Sequence, residues 1–256
     1  INRYPKTRNP KGECVLIAEN ISNANGTVKN ASLYLRRGEI VGIAGFHDSG
    51  KAELTRLLAG VDPITPITSG RIIVDGREVW KKKPYKALEM GIAYLSEEND
   101  KNVHLLMNAY YNITLANLKK AEKLFLISKR LIQNAVQYYI KRLNIMMQND
   151  LIPLRYLSRG TQQKIAIAKM LYADAQVLIM NEPATSLDSS SKVELYNIIN
   201  RLAQKGKGIL FSSSDLRELI GMCDRIYVVN NGKIVADLDA QKTSSKELLL
   251  YASGKQ

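Results

Sequence analysis

The eight residues GFHDSGKA at positions 45–52 have types and spacing suited to binding nucleotide phosphates. Glycines let consecutive backbone N–H groups turn inward onto phosphate oxygens, and Lys51 neutralises charge on the terminal phosphate. The pattern GxxxxGK[ST] ends in a hydroxyl that holds Mg²⁺, whereas this stretch ends in Ala52. The sequence therefore predicts a phosphate-binding loop without its usual metal ligand. The candidate binding residues are Gly45, Phe46, His47, Asp48, Ser49, Gly50, Lys51, Ala52 and Glu53.

The residues on either side of this loop follow the order that the chemistry needs. Residues 39–44 form a short apolar run typical of a buried strand, and residues 51–60 place Leu54, Leu57 and Leu58 on one face of a helix. The loop spelling alone arises by chance in roughly one chain in ten of this length. A glycine-rich turn that binds nothing is the alternative, but the order of strand, loop and helix favours a nucleotide site.

The elements that must position the loop indicate a mixed α/β domain. The first half of the chain has closely spaced apolar runs, which predict strands of an antiparallel layer near 15–19, 28–35, 39–44 and 71–74. We expect a helix after Pro84 and a strand at 91–95. From about 108 to 149 the pattern becomes helical and basic, with apolar residues recurring at helical spacing from Leu124.

Helices and strands alternate in the second half of the chain. This alternation predicts a parallel sheet with helices on both faces. The expected helices span 161–172, 189–204 and 215–222. The expected strands span 176–180, 208–212, 225–229 and, after a turn at Asn230-Asn231-Gly232, 233–237.

Composition and charge restrict the kinds of partner that the chain can bind. The 256 residues carry a formal net charge of +13 and are 45% hydrophobic, which is enough for a substantial core. The charge is compatible with a solvated surface, a surface facing anionic lipid, or nucleic-acid binding, and it clusters at Lys81–Lys83, 119–130 and 141–142. No RNA-recognition or zinc-finger spacing is present, so we expect no nucleic-acid partner. Cys14 and Cys223 match no metal or redox spacing.

The two ends of the chain differ in character. Residues 1–12 are polar, basic and interrupted by two prolines, which predicts an interdomain linker. Residues 13–256 are expected to form one nucleotide-binding domain. No apolar run in the sequence approaches the roughly 18 residues of a membrane-spanning helix.

Two further motifs lie downstream of the loop. Residues 157–164 read LSRGTQQK, and residues 176–183 read QVLIMNEP, an apolar run that ends in a polar pair. With the loop, they resemble the ATP-binding cassette of ABC transporters, in the order Walker A, signature and Walker B. Residues 186–188 resemble its D-loop, and 211–218 its switch region. The resemblance implies a P-loop NTPase fold with an antiparallel β subdomain and a helical subdomain, the latter at about 97–158 between Q-loop and signature.

A narrower resemblance concerns transport of sugars. LSRGTQQK is close to the LSGGNQQK form of monosaccharide-importer ATPases of the ribose, galactose and xylose type, in which two cassettes are fused. The opening Arg3-Tyr4-Pro5-Lys6 and Ser96-Glu97-Glu98 are similar to the second cassette of those proteins. The resemblance implies an N-terminal cassette in the same polypeptide, a transmembrane sugar permease and, indirectly, an external sugar-binding protein as partners. It also implies a peripheral position on the cytoplasmic face of the membrane.

The resemblance assigns roles to the matched residues. Lys51 and the loop backbone would hold the β- and γ-phosphates of ATP, and Glu182 would act on the attacking water. Ser158 and Gly160 would face the γ-phosphate of ATP bound by an opposite cassette, with Asp188 beside them. Each nucleotide site would therefore be shared between two cassettes.

Several positions depart from the family pattern. Asn181 stands where the family has an aspartate, and Ala52 where it has a hydroxyl, so both departures weaken the same Mg²⁺ site, to which Glu97 could also contribute. Glu97 replaces the Q-loop glutamine, and Ser214 replaces the switch histidine. Arg159 replaces a signature glycine, where it would either clash with ATP or pair with it. No aromatic residue lies within 22–27, where the family places an adenine platform.

Two functional hypotheses follow. The first is a degenerate cassette that binds ATP, with weak or uncertain Mg²⁺, hydrolyses it poorly and completes the ATP site of a partner cassette. The alternative is a structural domain that binds no nucleotide and only contacts the permease. A third reading, a cassette protein acting on ribosomes or DNA, draws only on the positive charge.

Overall fold

The computed structural model describes residues 4–61, 66–79, 88–123, 126–147, 149 and 151–255. The helix expected after Pro84 begins outside this part of the chain, as does the lysine cluster at 81–83. The strands are β1 Cys14–Asn23, β2 Ala31–Arg36, β3 Ile40–Ala44, β4 Ile67–Val74, β5 Arg77–Val79, β6 Ile92–Leu95, β7 Glu122–Lys123, β8 Leu126–Ile127, β9 Val177–Asn181, β10 Gly208–Ser212, β11 Arg225–Asn230 and β12 Lys233–Asp239.

The helices follow the same order along the chain. They are α1 Lys51–Ala59, α2 Asn99–Asn102, α3 Ala109–Thr114, α4 Lys129–Arg142, α5 Arg159–Ala173, α6 Ser189–Gln204, α7 Leu216–Met222 and α8 Ser245–Ser253. Short 3-10 helices occur at His47–Ser49, Leu118–Ala121 and Leu154–Tyr156.

The central sheet has six strands in the order β12-β11-β3-β10-β9-β6. Its pairings are parallel except that between β11 and β12, which follows the turn at Asn231-Gly232. Every residue of β3, β9 and β10 is buried, as expected for parallel strands covered on both faces. The predicted parallel sheet is confirmed.

A second, antiparallel sheet has the order β2-β1-β4-β5 and contains three of the four early strands. The fourth, β3, belongs to the central sheet instead. The strand expected at 28–35 begins later, at Ala31, because residues 23–30 form a closed turn. In that turn the Asn23 side chain accepts a hydrogen bond from Val28 N at 2.9 Å, and Asn30 has a φ of 50°.

Two apolar cores lie on opposite faces of the central sheet. Ile40 and Ala44 of β3 pack with apolar residues of α5, α6 and α7, whereas Val41 and Ile43 pack with α1 and the antiparallel sheet. This alternation follows from the two-residue repeat of a strand. The sheet is therefore held from both sides, and the loop that follows β3 begins on a rigid base.

The helical part packs mainly against α5. Helical spacing from Leu124 does not describe its middle, because Ile127 lies in the β7–β8 hairpin and α4 begins only at Lys129. The Ser128 hydroxyl accepts a hydrogen bond from Leu131 N at 3.4 Å, which fixes the start of α4. Leu124 itself lies outside the described residues. Among the residues described, no helix is both long and apolar enough to cross a membrane.

A buried ion pair joins the two sheets. Glu39, only 1% exposed, accepts hydrogen bonds from Arg225 Nε at 2.9 Å and from Arg36 N at 3.0 Å. The Arg225 guanidinium also lies 4.0 Å from the ring centroid of Tyr34 in β2. Loss of the arginine would leave a buried carboxylate whose one remaining counter-charge among the described residues is Lys11, 3.8 Å away.

We expect the Arg225→Met variant to lower the free energy of unfolding by about 3 kcal/mol, because it leaves Glu39 buried and poorly compensated. Urea unfolding followed by circular dichroism measures this change. The matched control is Arg71→Met, whose ion pair with Glu19 is half exposed and should contribute little. Equal midpoints for the two variants would contradict the role assigned to Arg225.

Candidate functional site

The predicted phosphate loop joins the end of β3 to the start of α1. After Ala44 the chain makes one 3-10 turn at His47–Ser49 and enters α1 at Lys51. Gly50 has a φ of 92°, and a Cβ atom added there would overlap the Thr27 carbonyl oxygen. Glycine is therefore required at this position by both conformation and space. The N–H groups at the start of α1 therefore lie at the loop, where they can donate hydrogen bonds to a bound anion.

Three of the predicted site residues come together at the end of the central sheet. Lys51 Nζ lies 3.5 Å from Glu182 Oε1, and the two side chains are 8% and 10% exposed. Ser214 donates a hydrogen bond of 3.2 Å to the other carboxylate oxygen of Glu182. Glu182 follows β9 directly and has a φ of 46°. The cation, the carboxylate and the switch-region hydroxyl thus form one connected group.

Burial dominates the electrostatics of Glu182. It raises the pKa of the carboxyl group, although the positive charge of Lys51 and the hydrogen bond from Ser214 act in the opposite direction. The negative charge of Glu97, which is exposed, raises the pKa further. Glu182 is therefore a carboxylate whose ionised form is destabilised in the folded chain.

Asn181 is the last residue of β9 and is held in a neutral network. Its side-chain nitrogen donates hydrogen bonds to the Thr55 hydroxyl at 2.7 Å and to the Tyr94 hydroxyl at 3.0 Å. Thr55 in turn donates to the Ala52 carbonyl oxygen at 2.8 Å. An aspartate at 181 could donate neither of these bonds, because an ionised carboxylate only accepts. The amide therefore fits this environment as a donor.

Tyr94 and Thr55 are site residues that the sequence analysis missed. Burial raises the pKa of Tyr94, which keeps its hydroxyl protonated. A polar ring within the apolar strand β6 was the only sequence signal for Tyr94. Thr55 lies one helical turn after Lys51, so its position on α1 was predictable but its partner was not.

The residues that the family resemblance assigns to Mg²⁺ do not fit a tightly held ion. Mg²⁺ prefers an octahedral set of oxygen ligands that includes a carboxylate. Ala52 offers a methyl group, the amide nitrogen of Asn181 points at Thr55 and Tyr94, and Glu182 is paired with Lys51. The buried Asn181 Oδ1 has no hydrogen-bond partner among the described residues, so a neutral amide oxygen stands where the family has a carboxylate. Within the same residues, no cluster of three or more His, Cys, Asp or Glu side chains could hold a metal.

A cavity of about 700 Å³ opens beside the loop. Its volume is in the range of small-molecule sites. It is bounded by the turn before β2, the loop with the start of α1, and the β11–β12 turn, and its charged lining residues are Lys29, Asp48, Glu53, Arg56, Glu97 and Glu98. No Tyr, Phe or Trp side chain is among its described lining residues, in agreement with the absence of an aromatic residue from 22–27.

The remaining loop residues have unequal exposure. Phe46 is 52% exposed, His47 and Asp48 are exposed, and Ser49 is buried. Glu53 forms an ion pair with Arg56 at 2.8 Å, one turn later on α1. Contacts to a ligand from this loop would therefore come mainly from its backbone and from Lys51.

The predicted signature residues begin α5 and form a separate surface. The exposed Ser158 caps the helix by accepting a hydrogen bond from Thr161 N at 3.2 Å, and Arg159 beside it is also exposed. A Cβ added at Gly160 would lie 3.1 Å from the Ser186 carbonyl oxygen, so this glycine packs against the predicted D-loop. In the described part of the chain, no hydrogen bond or ion pair joins Ser158, Arg159 or Gly160 to Lys51 or Glu182.

Asp188 ends the predicted D-loop and caps α6. Hydrogen bonds from the Ser190 hydroxyl and from the Ser191 backbone and hydroxyl hold the pKa of Asp188 well below its usual range. Since its carboxylate is engaged in this cap, Asp188 fixes the position of the segment between Glu182 and α6.

Comparisons of sequence match the chain to a known family. A family model described as ABC transporter matches residues 28–185. A putative ribose/galactose/methyl galactoside import ATP-binding protein 1 of Agrobacterium fabrum is 36% identical and is matched over 99% of this chain and 50% of its own length. A ribose import ATP-binding protein, RbsA of Clostridium perfringens strain 13, is 37% identical with the same coverage. The chain thus spans about half the length of the curated relatives it matches.

Solved structures show the same fold. The ATP-binding cassette MJ0796, in a dimeric post-hydrolysis state bound to ADP and Pi, superposes with a TM-score of 0.76 over 89% of this chain and 100% of that one, at 19% identity. A nucleotide-free ATP-binding cassette from an ABC transporter gives a TM-score of 0.74 over 94% of this chain and 96% of that one, at 19% identity. The predicted cassette fold is confirmed.

We expect the thermal unfolding midpoint of Glu182→Gln, taken relative to that of the natural chain, to be higher at pH 7.5 than at pH 4.5. Because the folded chain binds the Glu182 proton more tightly than the unfolded chain, ionisation at neutral pH costs the natural chain stability, and that cost disappears as the pH falls through the raised pKa toward the ordinary value of 4.5. The variant lacks the carboxylate partner of Lys51 at both pH values, so the change with pH isolates the ionisation of Glu182. Differential scanning fluorimetry at both pH values measures it, with the exposed Glu98→Gln variant as control. A relative midpoint that falls or stays constant from pH 4.5 to pH 7.5 would contradict this assignment.

Proposed function

The chain belongs to the ABC transporter family, and on that premise we propose that it is a cassette that holds ATP but hydrolyses it poorly. The observation that carries the proposal is the Asn181 side chain, whose nitrogen is committed to Thr55 and Tyr94 at the place where the family has a metal-side aspartate. Ala52 removes a second metal-side group from the same place. Lys51 and the loop backbone, which bind phosphate without a metal, are retained.

Nucleotide binding would begin with a change of partner for Lys51. In the free chain its ammonium group faces Glu182. A terminal phosphate in the loop would attract the lysine by charge and receive N–H groups from the start of α1. Glu182 would then keep the Ser214 hydroxyl as its donor at 3.2 Å. In this family Mg²⁺ bound with the nucleotide would add charge neutralisation; of the residues assigned to it here, the Asn181 amide oxygen and Glu97 would hold it weakly.

The exposed start of α5 supports the second part of the proposal, a site shared with another cassette. Ser158 and Arg159 face solvent at the N-terminal end of a helix of 15 residues, which favours an anion. The solved MJ0796 cassette with the same fold is dimeric. Ser158, Arg159 and Gly160 would close the ATP site of the partner cassette, where Arg159 adds a positive charge toward the phosphates.

Sugar import is the transport process that the relatives favour. The relatives named above are import ATP-binding proteins for ribose or for ribose, galactose and methyl galactoside, and each is about twice as long as this chain. We propose that an N-terminal cassette of the same polypeptide supplies the partner site. A transmembrane sugar permease, served by an external sugar-binding protein, would anchor both cassettes to the cytoplasmic face of the membrane.

The alternative is a structural domain that binds no nucleotide. It is favoured by the cavity beside the loop, whose described lining offers no aromatic ring to an adenine. A second cavity of about 730 Å³, lined by apolar residues of β6 and α5 and by Tyr94 and Lys169, would offer such a domain a contact for the permease. The two functions predict different results for ATP: the cassette binds ATP with the help of Lys51, whereas the structural domain binds none.

We expect the chain to bind ATP and Lys51→Ala to weaken that binding by about tenfold or more, since a hydrogen bond to a charged group contributes about 1.5–3 kcal/mol. Isothermal titration calorimetry with ATP measures the affinity. The control is Arg71→Ala, which removes a cation from the antiparallel sheet. If the chain binds no ATP, the structural alternative is correct; if it binds ATP and Lys51→Ala leaves the affinity unchanged, the phosphate-binding role of Lys51 is wrong.

We expect the double variant Ala52→Ser/Asn181→Asp to gain dependence on Mg²⁺. In the natural chain Mg²⁺ should change ATP affinity by less than about threefold, whereas a restored hydroxyl and carboxylate should raise the effect to about tenfold or more. Thermal shifts with ATP, with Mg²⁺ or with EDTA, measure the difference. Asn181→Asp alone is the control for loss of the Thr55 and Tyr94 contacts. Strong Mg²⁺-dependent ATP turnover by the natural chain would contradict the proposal.

A further inference from the structure

Residues Tyr4, Pro5, Lys6 and Thr7, here called the N-terminal strap, lie across α6 and α7. Asn200 of α6, which is 3% exposed, holds the strap through hydrogen bonds of its side chain to Pro5 and Thr7. Its side-chain nitrogen donates to the Pro5 carbonyl oxygen, and its oxygen accepts from Thr7 N at 3.3 Å and from the Thr7 hydroxyl at 3.4 Å. A buried amide satisfied in this way fixes the path of the strap.

The Tyr4 side chain enters a gap between the two helices. Its ring centroid lies 5.8 Å from that of Tyr196 on α6, with the ring planes tilted by 46°. On α7 the gap exists because residue 221 is glycine, since a Cβ there would lie 2.5 Å from the Tyr4 ring. Tyr4 therefore packs against α6 and α7 at once.

Tyr196 links Tyr4 to a buried carboxylate. Its hydroxyl donates a hydrogen bond to Glu218 of α7, which is 4% exposed. Burial and the neighbouring Glu218 raise the pKa of Tyr196, so the hydroxyl remains a donor. The other carboxylate oxygen of Glu218 accepts from the Ser213 hydroxyl at 2.6 Å, and Lys192 is the nearest cation, at 3.8 Å. Glu218 thus joins α6, α7 and the loop after β10.

The loop at 213–215 connects this carboxylate to the nucleotide site. The Ser213 oxygen accepts a hydrogen bond from Asp215 N at 3.1 Å while its proton is given to Glu218. The next residue, Ser214, donates to Glu182 at 3.2 Å. A continuous series of contacts therefore runs from Tyr4 through Tyr196, Glu218 and the serine pair to Glu182.

We propose that the N-terminal strap positions the 213–215 loop, so that Tyr4 and Tyr196 are positioning residues for the γ-phosphate end of the nucleotide site. Tyr4 holds the Tyr196 ring, Tyr196 and Ser213 together satisfy the buried Glu218, and the loop conformation that results aims the Ser214 hydroxyl at Glu182. The effect on nucleotide rests on the proposed function, whereas the effect on the loop does not.

The other half of the strap supplies a matched control. Lys6 forms an ion pair with Asp224 at 3.0 Å, and both side chains are nearly buried. The same oxygen of Asp224 accepts from Ile40 N at 2.9 Å, so this contact leads to the first residue of β3. Lys6→Met should therefore remove one nearly buried contact of the strap while Tyr4, Glu218 and the serine pair stay in place.

Hydrogen exchange of the nucleotide-free chain tests the positioning role. Tyr196→Phe removes only the hydroxyl, and Tyr4→Ala removes the ring that holds it. Both variants should speed exchange at the amides of Asp215 and Glu218, which donate within the loop and its junction with α7, by about tenfold or more. Lys6→Met should leave these rates unchanged. Unchanged rates in Tyr4→Ala would overturn the role of the strap, and unchanged rates in Tyr196→Phe would overturn the role of the Tyr196 hydroxyl. Tyr4→Leu replaces Tyr4→Ala in the same test if Tyr4→Ala fails to fold.

A ratio of affinities tests the connection to the γ-phosphate. A residue that only stabilises the fold would lower the affinities for ATP and ADP together, whereas Tyr4→Ala and Tyr196→Phe should weaken ATP about fivefold relative to ADP, the loss of about one hydrogen bond. Lys6→Met should keep the natural ratio. Faster exchange with an unchanged ratio would overturn the connection to the nucleotide. A natural chain that binds neither nucleotide would overturn the proposed function, while the exchange result would still decide whether the strap positions the loop.

Discussion

The pairing of Lys51 with Glu182 is the interaction on which the rest of the site depends. Both side chains are about nine-tenths buried, and a buried charge without a partner is strongly unfavourable. Their carriers, α1 and the end of β9, are separated in sequence but are brought together because β3 and β9 flank β10 in the central sheet. Any phosphate that enters the loop must compete with Glu182 for the lysine. In the free chain Glu182 thus neutralises the charge of Lys51, and on nucleotide binding a phosphate replaces Glu182 as the partner of the lysine.

The neutral network around Asn181 follows from the same constraint. Two adjacent carboxylates at 181 and 182, with one lysine between them, would repel each other unless a cation were present. The amide at 181 removes this repulsion and uses its two N–H groups on Thr55 and Tyr94. Ala52 fits this arrangement, since its carbonyl oxygen accepts a hydrogen bond from Thr55 and its methyl group does not bind metal. In the free chain, the site therefore needs no divalent ion to balance its charges.

Much of this arrangement was predictable, because it depends on local pattern. The buried runs that became β3, β9 and β10, the glycine turn before Lys51, and the cap at Ser158 are all encoded within a few residues. The roles of Thr55 and Tyr94 were not predictable, since they depend on β6 lying beside β9. The helical spacing from Leu124 gave the wrong element at Ile127, because the hairpin there is fixed by pairing with Glu122. The packing of Tyr4 also requires Gly221, and the path of the strap requires Asn200; both lie about two hundred positions away.

The two ends of the site are built from different kinds of contact, and this difference underlies the proposal that the chain holds nucleotide but hydrolyses it poorly. The phosphate end uses glycine conformation, a helix N-terminus and a lysine, which act on a ground-state anion. On the water side, the described residues offer Glu182, whose raised pKa suits proton transfer; once Lys51 turns to a bound phosphate, the side chains of Ser214 and Asn181 that remain beside it are neutral. Stabilising the extra charge of a transition state requires further positive or donating groups aimed at that charge. Arg159, exposed at the start of α5, is such a group, but among the described residues it has no hydrogen bond or ion pair with Lys51 or Glu182. In the proposed shared site, its charge would act on a nucleotide that another cassette binds.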